Sequence, residues 1–438
     1  VTISRRALIG AGGAAGLAAL GASQRLLPSS AFGAAASSYP GPSVLPDPAA
    51  SGIEHIVVVM MENRSFDHLL GWLPGADGKQ AGLTFTDRYG VRHATHHMTA
   101  FNTCGFNDPD HSYEGGRIQY DDGACDGFLK SGLNDEAAIG YYLQDDLPFL
   151  GRAAVDWTTC DRYFSAVMAE TYPNRFYMHA AQTDRLHNST AKSTLPTIWD
   201  RLADAGVKGT YFYNDVPFTL LWYEKYLAIT QPYGMFLAAA TNGTLPAVSF
   251  VDPRFEDEAS GTSNDDHPHA DLRAGEYFLN EVYHAVTTGP QWETTMLIIT
   301  FDEWGGFYDH VPPTTAPDVS PTTALRGFRV PTIVVSPKAR RGYVAHEVYD
   351  HTSILKLIEW RWGLPALTPR DAAARNLAEV LDFASAPTTS APAYQVSNYL
   401  APGCTVESLG EAGENDQGSE YAEWPALKDL ATKLGVTL

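Results

Sequence analysis

Glu62-Asn63 and Asp302-Glu303 are the residues whose types and positions best suit chemistry. Each pair closes an apolar run of strand length, Ile53–Met61 before the first and Met296–Phe301 before the second. A continuous apolar run flanked by turn residues fits a buried parallel strand. The carboxyl ends of such strands are where open α/β sheets place their ligands. Carboxylates and an amide carbonyl are hard oxygen donors that together suit a divalent cation. Two adjacent acids at a buried strand end would repel each other without one. The chemistry this donor set would support is metal-assisted hydrolysis. Read alone, the first pair also fits a polar strand end, with Asn63 or Ser65 capping a helix through Leu70.

Thr171 is a second candidate. It opens Thr171-Tyr172-Pro173-Asn174-Arg175, ahead of a helix-like Phe176–Gln182. A hydroxyl at a helix N-terminus beside a metal is where a phosphoryl group would be attacked, because the amide N–H groups and the dipole favour the anion. Local sequence alone also allows a plain N-cap with Pro173 in the first turn. Histidines form the third group, and several follow acids: Asp110-His111, Asp266-His267, Asp309-His310 and Asp350-His351. Such a His can donate to phosphate oxygens or protonate a leaving alkoxide.

The elements that must position these groups follow from the pattern. Strands are expected at 53–61, 208–213, 245–251, 296–301 and 330–336. Helices are expected at 137–150, 194–205, 219–240 (broken near Pro232), 272–287 and 353–362, the last ended by Gly363. Residues 75–136 are polar and rich in His, Gly and Asp, and read as a long functional loop. Alternating strands and helices indicate an α/β fold with a central, mostly parallel sheet and helices on both faces.

With 438 residues, 51 acids and 30 Lys and Arg, the chain carries a net charge of −21, which argues against nucleic acid and anionic membranes as partners. Zwitterionic or soluble phosphate esters, and transient contact with a membrane surface, stay open. No protein partner is implied. Ser4-Arg5-Arg6, a Gly/Ala-rich apolar stretch to Leu20 and Ala34-Ala35-Ala36 read as a twin-arginine export signal over 1–36. A Ser/Pro-rich linker over 37–52, a catalytic domain over 53–364 and a C-terminal extension over 365–438, packed on the core, would complete the chain. Export permits disulfides. Of the four cysteines, Cys104 and Cys125 lie closest in sequence and are the first pair expected, while Cys160 reads as a buried thiol.

Several stretches carry a resemblance: I-E-H-I-V-V-V-M-M-E-N-R-S-F-D-H, D-P-D-H at 108–111, T-Y-P-N-R at 171–175, D-D-H-P at 265–268, T-F-D-E-W-G-G-F-Y-D-H-V-P-P at 300–313, G-F-R-V-P at 327–331 and Y-D-H-T-S-I-L-K-L-I-E-W at 349–360. In order, they resemble the bacterial phosphoesterase family of non-haemolytic-type phospholipases C and acid phosphatases. The resemblance implies an alkaline-phosphatase-like fold. It also implies that Glu62, Asn63, Thr171, Asp302 and Glu303 surround a divalent metal ion (Ca, Mg, Mn or Zn). Thr171 would be the nucleophile, and His111 and His267 would hold the phosphate or serve the leaving group; beside the resemblance, Pro268 stiffens the loop after His267 and puts that residue nearer the acid role. His310 and His351 match family motifs without a role implied for them. The reading is a secreted, metal-dependent phospholipase C that cleaves the glycerol-side phosphodiester bond through a phosphothreonine intermediate, and the alternative is an acid phosphatase on soluble monoesters. A secreted, non-catalytic binder of phosphate esters is the reading from another class.

Overall fold

The computed structural model of the protein describes residues 42–256, 258–404 and 423–436. The expected export signal lies outside the described residues. Among these residues no helix is long and apolar enough to cross a membrane.

Eight strands make one sheet: β1 (His55–Met61), β2 (Thr158–Cys160), β3 (Gly209–Tyr213), β4 (Thr230–Pro232), β5 (Val248–Val251), β6 (Thr295–Phe301), β7 (Ile333–Val335) and β8 (Tyr343–Ala345). Their order is β8-β2-β7-β6-β1-β5-β3-β4. All neighbours run parallel except β7, which is antiparallel to β6 and β2. This is the mostly parallel α/β sheet expected from the alternation. Every position of β6 is buried, so both faces of the sheet are covered there.

The two strand-then-acid motifs are neighbours. β1 and β6 pair from His55↔Thr295 to Met61↔Phe301. That register puts Glu62 and Asp302 side by side where the strands end, and the Asp302 N–H donates to the Met61 carbonyl at 3.0 Å.

The helices used below are α1 (Phe66–Leu70), α2 (Tyr113–Tyr120), α3 (Leu150–Asp156), α4 (Thr171–Ala180), α5 (Ile198–Asp204), α6 (Tyr233–Asn242), α7 (Leu272–Thr288), α8 (His351–Trp362), α9 (Pro369–Ala373) and α10 (Glu423–Lys433). Gly363 ends α8 in the left-handed conformation, φ +65°.

Some expectations need correction. Residues 137–150 are not a helix. A 3₁₀ turn over Glu136–Ile139 gives way to a short strand at Gly140–Tyr141, and α3 starts only at Leu150. Residues 219–240 hold a 3₁₀ segment (Phe218–Ile229), then β4, then α6. The polar stretch 75–136 is not one loop: it contains a small hairpin (Thr84–Thr86 with Arg92–Ala94) and α2. The disulfide joins Cys104 to Cys404, not to Cys125. Cys125 and Cys160 are free and buried, as read for Cys160.

Candidate active site

The site is built from three chain reversals at the carboxyl end of the sheet. After β1, the chain turns at Asn63, whose φ of +54° lies in the left-handed region that Asn tolerates better than most residues. Ser65 then caps α1, its hydroxyl accepting from the His68 N–H at 3.3 Å. After β6, Gly305 (φ +62°) crosses this turn so closely that a Cβ there would sit 2.0 Å from the Asn63 carbonyl oxygen. Glycine is required at that crossing. The third reversal delivers Thr171 as the first residue of α4, following the extended Glu170.

Hydrogen bonds lock these reversals together. The Asn63 N–H donates to Asp302 Oδ1 at 3.1 Å. Thr171 Oγ1 donates to Glu62 Oε2 at 3.0 Å and lies 3.3 Å from Asn63 Oδ1. All of these side chains are buried, as is Glu303. The structure therefore brings Glu62, Asn63, Thr171 and Asp302 into one cluster. Glu303 turns towards His111, with Oε1 3.9 Å from His111 Nε2 and Oε2 accepting from the Gly305 N–H at 2.8 Å.

Arg175 is one residue that sequence reasoning missed. Its guanidinium donates to Glu62 Oε1 through Nε at 2.8 Å, to Asp252 Oδ1 at 3.0 Å and to the Met60 carbonyl at 3.1 Å. Its Nε lies 3.5 Å from Asp302 Oδ2. A single side chain thus ties together the ends of β1, β5 and β6. The signal was present: Arg175 follows Thr171 by four residues, so on a helix both share one face. Burial opposes the Arg175 charge, but Glu62, Asp252 and Asp302 outweigh it and push its pKa up. Burial raises Glu62 well above the usual carboxylate range; Arg175 pulls it down and Asp302 pushes it further up. Asp252 is raised to about 6 by burial, against the pull of Arg175.

A divalent cation fits the donors present. They are all oxygen, and the two buried carboxylates of Glu62 and Asp302 share one guanidinium with Asp252. Asp302 Oδ2 is buried and accepts no hydrogen bond. A buried polar atom in that state calls for a partner, and a hard cation between Glu62, Asn63, Thr171 and Asp302 would supply it.

His111 and His267 stand beside this cluster, with ring centroids 5.9 Å apart. Nδ1 of His111 lies 2.7 Å from the Pro109 carbonyl, and Nδ1 of His267 lies 3.0 Å from that of Pro268. A carbonyl only accepts, so both Nδ1 atoms carry hydrogen. Asn63 Nδ2 sits 3.1 Å from His111 Nε2, which then acts as the acceptor. Asp108 completes a group in which His111, His267 and Asp108 bring one ligand atom each within 4.8 Å of the others. Asp108 was not picked out as a site residue, although the D-P-D-H motif contained it. Burial, with His111 next, holds His267 well below the ordinary His range. With hydrogen on Nδ1, its Nε2 presents a lone pair to the site.

The other motif histidines support the scaffold. His351 Nε2 donates to the Asp302 carbonyl at 2.6 Å and so fixes the backbone of that residue. His310 joins Asp67 and Asp309 around Arg329, whose Nε lies 2.9 Å from Asp309 and whose Nη2 lies 3.1 Å from Asp67. Asp67, Asp309 and His310 are close enough to hold a metal, but the buried guanidinium already supplies the positive charge.

Comparison with known proteins shows which family the chain matches. The sequence profile of the Phosphoesterase family matches residues 53–365. The chain is 32% identical to non-specific phospholipase C6 of Arabidopsis thaliana over 390 residues, covering 78% of this chain and 74% of that one. It is 30% identical to phospholipase C B of Mycobacterium tuberculosis over 425 residues, covering 78% and 80% respectively. Among solved structures, a protein in the alkaline phosphatase superfamily from Vibrio parahaemolyticus is similar at a TM-score of 0.39 and 10% identity, over 74% of this chain and 70% of that one.

Proposed function

This chain belongs to the phosphoesterase family and is a phosphoric ester hydrolase, and we propose that it is an exported, metal-dependent phospholipase C that cleaves the glycerol-side phosphodiester bond through a phosphothreonine on Thr171. One observation carries the reading. The Thr171 hydroxyl lies at the N-terminus of a helix and donates to the buried Glu62 at 3.0 Å. A nucleophile needs an acceptor for its proton at that distance, and the α4 amides favour an anion in front of it.

Glu62, Asn63, Asp302 and Thr171 would hold the divalent ion. When bound, it would lower the hydroxyl pKa and offset charge on the phosphate oxygens. Thr171 Oγ attacks phosphorus, its proton passing towards Glu62. A Thr–O–P bond forms, the P–O bond to glycerol breaks, and the alkoxide takes a proton from water and leaves as diacylglycerol. The resulting hydroxide attacks phosphorus, the Thr–O–P bond breaks as Thr171 Oγ takes back the proton from Glu62, and the phosphorylated headgroup leaves. Through the two stages Asn63 Nδ2 would donate to a phosphate oxygen, with His111 and His267 beside it. Arg175 keeps Glu62 and Asp302 in place without touching substrate. The Arg5-Arg6 segment supports export, as does the disulfide.

Turnover of phosphatidylcholine and of a nitrophenyl phosphate monoester, compared on the metal-loaded enzyme, tests the substrate class. Phosphocholine and diacylglycerol should appear as the preferred products. Turnover confined to the monoester would make the protein an acid phosphatase.

A further inference from the structure

We propose that Trp424, on the far C-terminal helix α10, is a positioning residue for Arg175 and Thr171. The contacts form an unbroken stack. Trp424 lies flat on Phe255, with ring centroids 4.0 Å apart and planes 3° from parallel. Phe255 in turn covers the Arg175 guanidinium at 4.7 Å. The same indole meets Tyr172, the residue after Thr171, edge-on at 5.4 Å and 71°. Phe255 and Tyr172 are fully buried, and Trp424 is 4% exposed.

The geometry decides what the stack does. Arg175 spends its in-plane N–H groups on Glu62, Asp252 and Met60. Those bonds fix the plane but leave its faces open to displacement. Phe255 closes one face, and Trp424 keeps Phe255 from moving away. Cation–π attraction and aromatic stacking both favour this arrangement. α10 docks by Trp424, Leu427 and Ala431, all buried and spaced along one helical face. Its outer Lys428 pairs with Glu256, next to Phe255 in sequence. α10 therefore holds the Phe255 segment at two adjacent residues. If α10 is removed or the indole cut back, the guanidinium can tilt, and Glu62 and Thr171 lose their mutual alignment. Misplacement of about 1 Å costs about a hundredfold in rate.

The inference rests on Thr171 as the nucleophile, so both are tested together. Trp424→Ala should lower kcat about 10- to 100-fold on a nitrophenyl phosphate ester while KM changes less than about threefold. Trp424→Phe keeps the stack and should keep at least about half of kcat. Phe255→Leu, which removes the ring over Arg175 and leaves α10 docked, should match Trp424→Ala. The double variant should be no slower than the slower single, because both act through one path. Thr171→Val, assayed beside them, should be inactive. A kcat for Trp424→Ala and Phe255→Leu within about twofold of wild type, or a loss in KM alone, overturns the brace while leaving the nucleophile untouched. An active Thr171→Val overturns the reading on which both depend.

Discussion

Thr171 and Arg175 sit one helical turn apart and perform opposite tasks: one reacts, the other holds still. Thr171→Val is near-isosteric and removes only the hydroxyl. It should abolish turnover, by about three orders of magnitude or more, with the fold intact, and Thr171→Ser should retain part of the rate. Circular dichroism and a rate assay on the same samples check both points. Arg175→Met should act on stability as well. It leaves Glu62 and Asp302 buried with no cation beside them, and breaking such a buried pair costs about 3–5 kcal/mol. An added divalent metal should restore part of that loss, since it binds the folded state. Denaturant titrations with and without metal would show it; a variant as stable as wild type without metal would mean that the carboxylates do not need the guanidinium. At this scale the acids were legible and the arginine's task was not. Glu62-Asn63 and Asp302-Glu303 stand out because polar groups end apolar runs. Arg175 carries no such contrast, and its task is defined by Met60 on β1 and Asp252 just after β5, which no local pattern contains.

Strands were easier to read than helices, for a physical reason. β1 and β6 are buried on both faces, so they appear as unbroken apolar runs with clear ends. α3 gave no comparable signal. Its N-cap position, Phe149, has no capping side chain. Instead Glu276 of α7 accepts from the Phe149 and Leu150 N–H groups, the latter at 3.1 Å. A helix start supplied from another helix cannot be seen in a local window. α2 was missed because its polar, Gly-paired sequence lacks an apolar stripe; Ser112 caps it. The distant cap has a pH signature. Burial raises Glu276 from its ordinary 4.5 to about 8, despite the two amides that pull the other way. Below the ordinary value both folded and unfolded states hold the proton. Between there and about 8 only the folded state keeps it, so stability falls as pH rises through that window and levels off above it. Glu276→Gln keeps an acceptor for the amides and removes the titration. The variant should therefore gain on wild type as pH climbs from about 5 to about 8. Thermal unfolding at several pH values measures this, and parallel curves for the two proteins would remove Glu276 as the cause.

Across the whole molecule, one covalent bond spans most of the sequence. Cys104 and Cys404 are 300 residues apart. Sequence proximity favoured Cys104 with Cys125, because only the fold brings the later strand of chain past the first. The bond also lies near the site. Thr103 Oγ1 accepts the His269 N–H at 2.7 Å, and the Cys404 N–H donates to the Ser260 carbonyl at 2.6 Å. The segment leading to Asp108 and His111, the one carrying His267, and the C-terminal chain are thereby held at one point. Closing so long a loop restricts the unfolded chain strongly, so the bond should matter to stability more than to the rate of an already folded enzyme. Cys404→Ser should lose about 2–5 kcal/mol of unfolding free energy. Wild type in reductant should fall to the same value, because the same constraint is gone. Cys125→Ser should stay near wild type in oxidising buffer, since that thiol is free and its change to Ser removes no cross-link. Denaturant midpoints for the three proteins, with and without reductant, decide the matter. A stable Cys404→Ser together with an unstable Cys125→Ser would return the pairing to the two cysteines nearest in sequence.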